Sequence, residues 1–107
     1  MAKIYDLTNK LSTEKPVIKI GDREYKVKNG YKTVLLVQQK LGELDEAEAM
    51  DFVLEKLLGQ KAKEEIDEMD LSFSDMKTIF LATMAASSGE ELETIEARFQ
   101  QATDVQG

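Results

Sequence analysis

The stretch from Ile79 to Ala86 reads Ile-Phe-Leu-Ala-Thr-Met-Ala-Ala, and as a helix it would be apolar around its whole circumference. A helix with that pattern is normally buried on all sides, because none of its faces suits water. Just ahead of it, Ser72 is followed three residues later by Asp75, a spacing that resembles a helix-capping box. We therefore predict a central helix over residues 73–87, with Phe80 and Met84 almost fully buried.

Upstream of this helix, residues 16–28 have the pattern of a β-hairpin. Apolar and charged residues alternate on two short arms, and Gly21-Asp22 between the arms suits a two-residue turn. An isolated hairpin is only marginally stable in water, so its apolar face is expected to pack against helices. The residues predicted to lie on that face are Ile18, Ile20, Tyr25 and Val27.

Four further segments have helical patterns. The first begins at Tyr31 and ends at Gly42, although Val34-Leu-Leu-Val37 alone would also suit a strand. A second runs from about Asp45 to Gly59, and a short charged helix follows from Gln60 to Met69. The second is expected to bury one face, consisting of Ala47, Met50, Val53, Leu54, Leu57 and Leu58.

The last helix is predicted to begin at a capping box formed by Ser88 and Glu91. Together these elements predict an α+β fold, mainly α, in which an N-terminal β-hairpin is followed by about five helical segments around a central apolar helix. A chain of 107 residues suits a single domain, 1–107. The weakly patterned ends, 1–15 and 101–107, are the segments most prone to disorder.

The composition disfavours catalysis. The chain has no histidine, which is the commonest general base, and no cysteine, which is the thiol nucleophile. These two residues are also the commonest zinc ligands. The carboxylates between Glu64 and Asp70 are interpreted as a solvated helix face rather than a metal site, with Lys61–Glu65 and Lys63–Asp67 as neighbouring pairs. Asp70 to Asp75 lacks the glycine and the final glutamate of a calcium loop. We expect no enzyme activity, cofactor or metal.

Charge and hydropathy limit the partners. Net charge is −7, and it is divided unevenly: residues 1–40 contain nine Lys/Arg and four Asp/Glu, whereas residues 41–107 contain five and seventeen. This acidic balance disfavours nucleic acid as a partner. The longest uncharged stretch has twelve residues, from Thr78 to Gly89, whereas a membrane-spanning helix needs about 20. We expect a soluble cytoplasmic protein that binds another protein.

Four motifs follow one another along the chain: the Pro-Val-Ile-Lys-Ile-Gly-Asp-Arg-Glu-Tyr hairpin (16–25), Leu-Leu-Gly-Gln-Lys-Ala-Lys-Glu-Glu-Ile (57–66), Asp-Leu-Ser-Phe-Ser-Asp (70–75), and Ala-Ala-Ser-Ser-Gly-Glu-Glu (85–91) before a Glu-rich helix ending at Phe99. Their order resembles that in the small tail assembly chaperones of phages and prophages of Gram-positive bacteria. The resemblance covers about residues 3–100.

The resemblance implies a transient role in the host bacterial cytoplasm. Such chaperones escort the tape measure protein, a long helical chain that sets tail length, help to recruit tail tube subunits, and are absent from the mature virion. The family has no catalytic residues. Two alternatives remain open on the sequence: a structural tail or connector component of the virion, and an acidic protein-binding inhibitor.

The candidate partner-binding residues are on the last helix. Leu92, Ile95 and Phe99 form a narrow apolar stripe that cannot stabilise a helix of this length by itself. The stripe must therefore pack either on the chain's own domain, or on the tape measure protein or a second copy of the chain. Homo-oligomerisation is thus a further possibility left open by the sequence.

Overall fold

The computed structural model describes residues 2–12 and 14–98. It confirms an N-terminal hairpin followed by five helices. The strands are β1 (Val17–Ile20) and β2 (Arg23–Lys26), and the helices are α1 (Tyr31–Leu41), α2 (Glu46–Leu58), α3 (Gln60–Glu68), α4 (Phe73–Ser88) and α5, described from 92 to 98. One turn of 3-10 helix, Thr8–Lys10, lies ahead of the hairpin.

The hairpin has the predicted turn and faces. Ile18 pairs with Tyr25 and Ile20 with Arg23, so that Gly21-Asp22 forms the turn. Gly21 adopts a φ of 64°, as the first central residue of a type II′ turn requires. Tyr25 and Val27 are buried, while the inward residues of β1 are half-buried against α4.

The core lies mainly between α2 and α4. Its larger cluster combines Val53 and Leu57 of α2 with Phe80 of α4, and it also takes in one residue each from the hairpin, α1 and α5. A smaller cluster lies between the hairpin, α2, α3 and α4. Its members are Tyr25, Leu54, Ala62, Ile66 and Ile79.

The central helix is less completely covered than predicted. Phe80 is 3% exposed, as expected, but Met84 is only half-buried, and so are Ala82 and Ala86. A small domain has few elements to cover its central helix, so part of the circumference of α4 remains accessible. Thr83 is fully buried, and its hydroxyl donates to the Ile79 carbonyl at 2.7 Å, which satisfies its only polar group.

The predicted capping box at Ser88 and Glu91 is wrong. Ser88 is the last residue of α4, and its hydroxyl donates to the Met84 carbonyl at 3.0 Å. Gly89 then adopts a left-handed φ of 76°, and the Glu90 amide donates back to Ala85, which ends α4 in a Schellman-like turn. Helix α5 begins only after Glu91, whose carbonyl accepts from Thr94 and Ile95.

One inward residue of α2 was also assigned wrongly. Ala47 is exposed in the first turn, whereas Ala49 is buried. The helix begins at the predicted place, because the Asp45 carboxylate accepts from the Glu48 amide at 2.8 Å. None of the described helices combines the length and the apolarity that crossing a membrane requires.

Candidate functional site

The apolar stripe of the last helix contributes to the chain's own core. Ile95 is 2% exposed and belongs to the main cluster, and Leu92 is half-buried against the same cluster. Phe99 lies outside the described residues. Self-docking therefore accounts for both described members of the stripe. In this arrangement Ile95 presents no surface to a partner.

The outer side of α1 is a more accessible apolar surface. Tyr31, Leu35 and Leu36 are 78%, 37% and 40% exposed, and we call these three side chains the α1 outer face. The opposite side of the helix supplies Val37 to the core. Four consecutive apolar residues, Val34 to Val37, span about 300° of a helix, so some of them must point outward. That run is the sequence signal for this surface, although it predicts a helix without showing which of its residues the neighbouring elements cover.

A second accessible apolar surface lies ahead of the hairpin, in residues 2–12, which we call the N-terminal arm. None of its side chains is buried, and its four large apolar residues lie mostly in solvent. Its local order comes from Asp6, whose carboxylate accepts from the amide and the hydroxyl of Thr8 at 3.0 and 2.6 Å. Both bonds lower the pKa of Asp6, and the bond from the Thr8 hydroxyl has the larger effect. The exposed apolar residues are Ile4, Tyr5, Leu7 and Leu11.

An open groove separates β2 from α3. Its two sections have volumes of about 460 and 310 Å³ and share Glu65. The first section lies beside the hairpin turn, and the second lies beside Tyr25 and Ala62. We call the two sections together the β2–α3 groove. Both are shallow and bordered by charged residues, which suits an extended peptide better than an enclosed small molecule.

Two ion pairs connect α3 to its neighbouring elements. Arg23 lies 3.8 Å from Glu65. The pKa of Arg23 is raised, mainly by its interaction with the Tyr25 oxygen and to a smaller extent by Glu65. The buried Tyr25 hydroxyl nevertheless has no described partner in good hydrogen-bond geometry. Glu65 therefore pairs with the hairpin and not with Lys61, the neighbour predicted from helical spacing.

Lys63 joins α3 to α2. Its ammonium lies 3.2 Å from Asp51 and also binds Asp67, the predicted helical neighbour. Partial burial alone would lower the pKa of Lys63, but the hydrogen bonds that its ammonium donates to Asp67 and Asp51 outweigh this effect and raise the pKa. Within residues 2–12 and 14–98, no three carboxylates converge as a metal site would require. Of the α3 carboxylates, Glu65 and Asp67 pair with Arg23 and Lys63, and Glu64 and Glu68 are exposed.

Comparisons with known proteins add no further constraint on the site. No protein-family model matches the chain, and no similar curated protein or solved structure was found.

Proposed function

We propose that this chain is a tail assembly chaperone that binds the tape measure protein and tail tube subunits during the assembly of a phage tail. The observation that carries the proposal is the α1 outer face. A stable domain normally turns large apolar side chains inward, so an accessible group on a single helix is a typical docking surface for another protein. The specific partner comes from the resemblance in motif order.

The geometry of the α1 outer face suits a helical partner. Tyr31 and Leu35 are one turn apart, and Leu36 broadens the stripe on the same side of the helix. A long helical protein that waits for assembly exposes apolar seams of similar spacing, and such seams associate in the absence of a cover. Docking α1 along a seam would bury both apolar surfaces.

The charge of the chain suits the same role. The acidic residues of α2, α3 and α5 lie mostly on exposed positions, whereas α1 contains no acidic residue. A complex covered by such domains would carry many negative charges and resist further association. The proposed activity is therefore reversible covering of apolar surface in the host cytoplasm, without a catalytic step and without retention in the mature virion.

Co-expression with the tape measure protein encoded beside the gene tests this function. We expect the chain to keep that protein in the supernatant and to co-purify with it. Leu35→Glu and Leu36→Glu should each reduce the recovered complex severalfold, because a charge would then be buried in the interface. Probing mature particles for the chain tests the alternative of a structural virion component.

Phe73→Glu is the matched control. Phe73 is 58% exposed at the start of α4, so this change also replaces an exposed apolar side chain by a carboxylate, but at a distance in sequence from α1. The control should bind like the parent. Equal binding by Leu35→Glu, Leu36→Glu and Phe73→Glu, with all three folded, would contradict the assignment of the α1 outer face. Recovery of the chain from mature particles would contradict the chaperone role.

A further inference from the structure

The α1 outer face lies on two neighbouring rows of side chains. Residues four apart follow one another along one side of a helix, so Tyr31 and Leu35 belong to the first row. Leu36 belongs to the second row, in which Lys32 lies one turn before it and Lys40 one turn after it. All five side chains are exposed. The accessible side of α1 is therefore an apolar stripe with a lysine at each end of its second row.

The two lysines are free to pair with a partner. Lys40 lies 3.5 Å from Glu43, and the side chains of this pair are 48% and 67% exposed. Exposed pairs of this kind contribute little to stability, so Lys40 can exchange Glu43 for another carboxylate at little cost. Lys32 takes part in no ion pair within residues 2–12 and 14–98. The second row therefore offers positive charge beside the apolar stripe.

The segment around α1 is basic in a chain that is acidic as a whole. Residues 25–42 contain four lysines and no acidic residue, although the net charge of the chain is −7. On another side of α1, Gln38 and Glu90 line one small cavity, and Glu90 there pairs with Arg98 at 3.2 Å. Charges more than about 8 Å away are largely screened at physiological salt. The lysines at the contact therefore decide which charge a docked helix prefers.

This pattern distinguishes between the occupants of the α1 outer face. A second copy of α1 packed antiparallel and centred on Leu36 would place Lys32 of each copy near Lys40 of the other. A parallel pair would place each lysine beside its equivalent. Like charges at a contact oppose association, and a basic helix is disfavoured for the same reason. A helix with carboxylates beside its apolar stripe satisfies both rows at once.

We propose that the α1 outer face binds an amphipathic helix of its partner in which Asp or Glu residues about seven or eight positions apart flank the apolar stripe. Lys32 and Lys40 are separated by eight residues, which is about 12 Å along α1. Carboxylates at that spacing on a helix packed along α1 lie within reach of both flexible lysine side chains. The inference rests on the proposed function, because it specifies which kind of segment the chain covers.

Competition for the tape measure protein encoded beside the gene tests the charge of the partner helix. That protein is co-expressed with equal amounts of the tagged parent chain and an untagged variant, and the ratio of the two chains in the purified complex gives their relative affinity. Lys32→Gln should be bound about threefold less than the parent, because an attraction is lost. Lys32→Glu should be bound about tenfold less, because a repulsion replaces it. Both differences should shrink at about 1 M salt.

Lys19→Gln is the matched control for the loss of one positive charge. Lys19 is exposed on β1 and takes part in no ion pair within the described ranges. This variant should be bound like the parent. Neither change at Lys32 opposes the helix, since a neutral or acidic residue in the first turn of α1 suits the helix dipole.

Carbodiimide cross-linking of the same complex identifies the partner residues. The reagent joins an amine to a carboxylate without a spacer, so it reports only groups in direct contact. We expect Lys32 to be joined to Asp or Glu residues of the tape measure protein that adjoin an apolar stripe of helical spacing. Mass spectrometry of the digested complex locates these links.

The outcomes separate this inference from the proposed function. Absence of the parent chain from the complex, or binding of Leu36→Glu at the parent level, would overturn the docking surface and the inference with it. If Leu36→Glu loses binding but Lys32→Glu binds like the parent or better, the surface stands and the acidic partner helix is wrong. Absence of links from Lys32 to carboxylates would have the same meaning. Self-association of the chain alone that Leu36→Glu abolishes would identify a second copy as the occupant and overturn the inference.

Discussion

Single side chains carry much of the stability of this small core, and Phe80 is the clearest case. It is 3% exposed and belongs to the cluster that joins α2, α4 and the hairpin. Phe80→Ala should lower the free energy of unfolding by about 3–5 kcal/mol, because it removes buried surface and leaves a cavity. Urea denaturation measures this change.

Phe73→Ala provides the comparison on the same helix. Phe73 is 58% exposed, so its truncation should change the free energy of unfolding by roughly 0.5 kcal/mol or less. If the two alanine variants unfold at the same urea concentration, the assignment of α4 as the central helix is wrong.

A second effect at the residue scale depends on pH. The Asp45 carboxylate accepts from the Glu48 amide, and this bond is the main reason why the pKa of Asp45 is lowered. A lowered pKa in the folded state means that the carboxylate stabilises the fold at neutral pH. That contribution is lost as pH falls through the folded pKa, below about pH 4. Asp45→Ala should therefore lower the melting temperature at pH 7 and have a smaller effect in acid.

Asp45→Asn separates the cap from the charge. An asparagine side chain also caps helices well but does not titrate in this range. This variant should keep most of the stability at pH 7 and melt with a weaker acid dependence than the parent. A melting temperature equal to that of Asp45→Ala at pH 7 would indicate that the hydrogen bond to Glu48 contributes little.

At the scale of elements, α5 completes the core. Its Ile95 is 2% exposed and packs in the main cluster with Val37 of α1 and Ala85 of α4. A chain truncated after Ser88 would uncover these neighbours. We expect it to lose helicity per residue or to aggregate, as followed by circular dichroism and light scattering.

The alternative is a loosely held α5 that exchanges its contacts for a partner. In that case the truncated chain would keep parent-like helicity but fail to hold the tape measure protein in solution. Ile95→Ala in the full-length chain is the finer test, because it weakens the docking of α5 without exposing the whole cluster. A melting temperature unchanged by Ile95→Ala would contradict a structural role for this helix.

For the whole molecule, the sequence correctly predicted the features of the fold that depend on residues close together in the chain. The hairpin turn at Gly21-Asp22 and the start of α2 at Asp45 were both predicted, because each depends on residues a few positions apart. The exposure of Met84 could not be predicted, since it depends on how many elements surround α4. At Ser88 the sequence contains two conflicting local signals. The capping pattern predicted the start of a helix there, but Gly89 adopts a left-handed conformation and ends α4 instead.

The candidate site was less predictable for the same reason. Apolar periodicity identifies the side of a helix that is able to pack, but the arrangement of neighbouring elements decides which side does. Ile95 was correctly recognised as a residue that must dock, although only the tertiary structure shows the core as its docking place. The α1 outer face could not be predicted, because helical spacing within Val34 to Val37 does not show which of these residues the neighbouring elements cover.

The corner between α2 and α3 consists of a single residue, and this limits how the gene can change. Gly59, with a φ of 96°, ends α2 and precedes the first residue of α3. One inserted residue would add up to about 3.8 Å of backbone and displace Ala62 and Ile66 from the core. We therefore expect insertions and deletions at this corner to be rare among related sequences, because they would destabilise the fold. Over evolutionary time, length variation would accumulate elsewhere, above all ahead of Pro16, where no described side chain is buried.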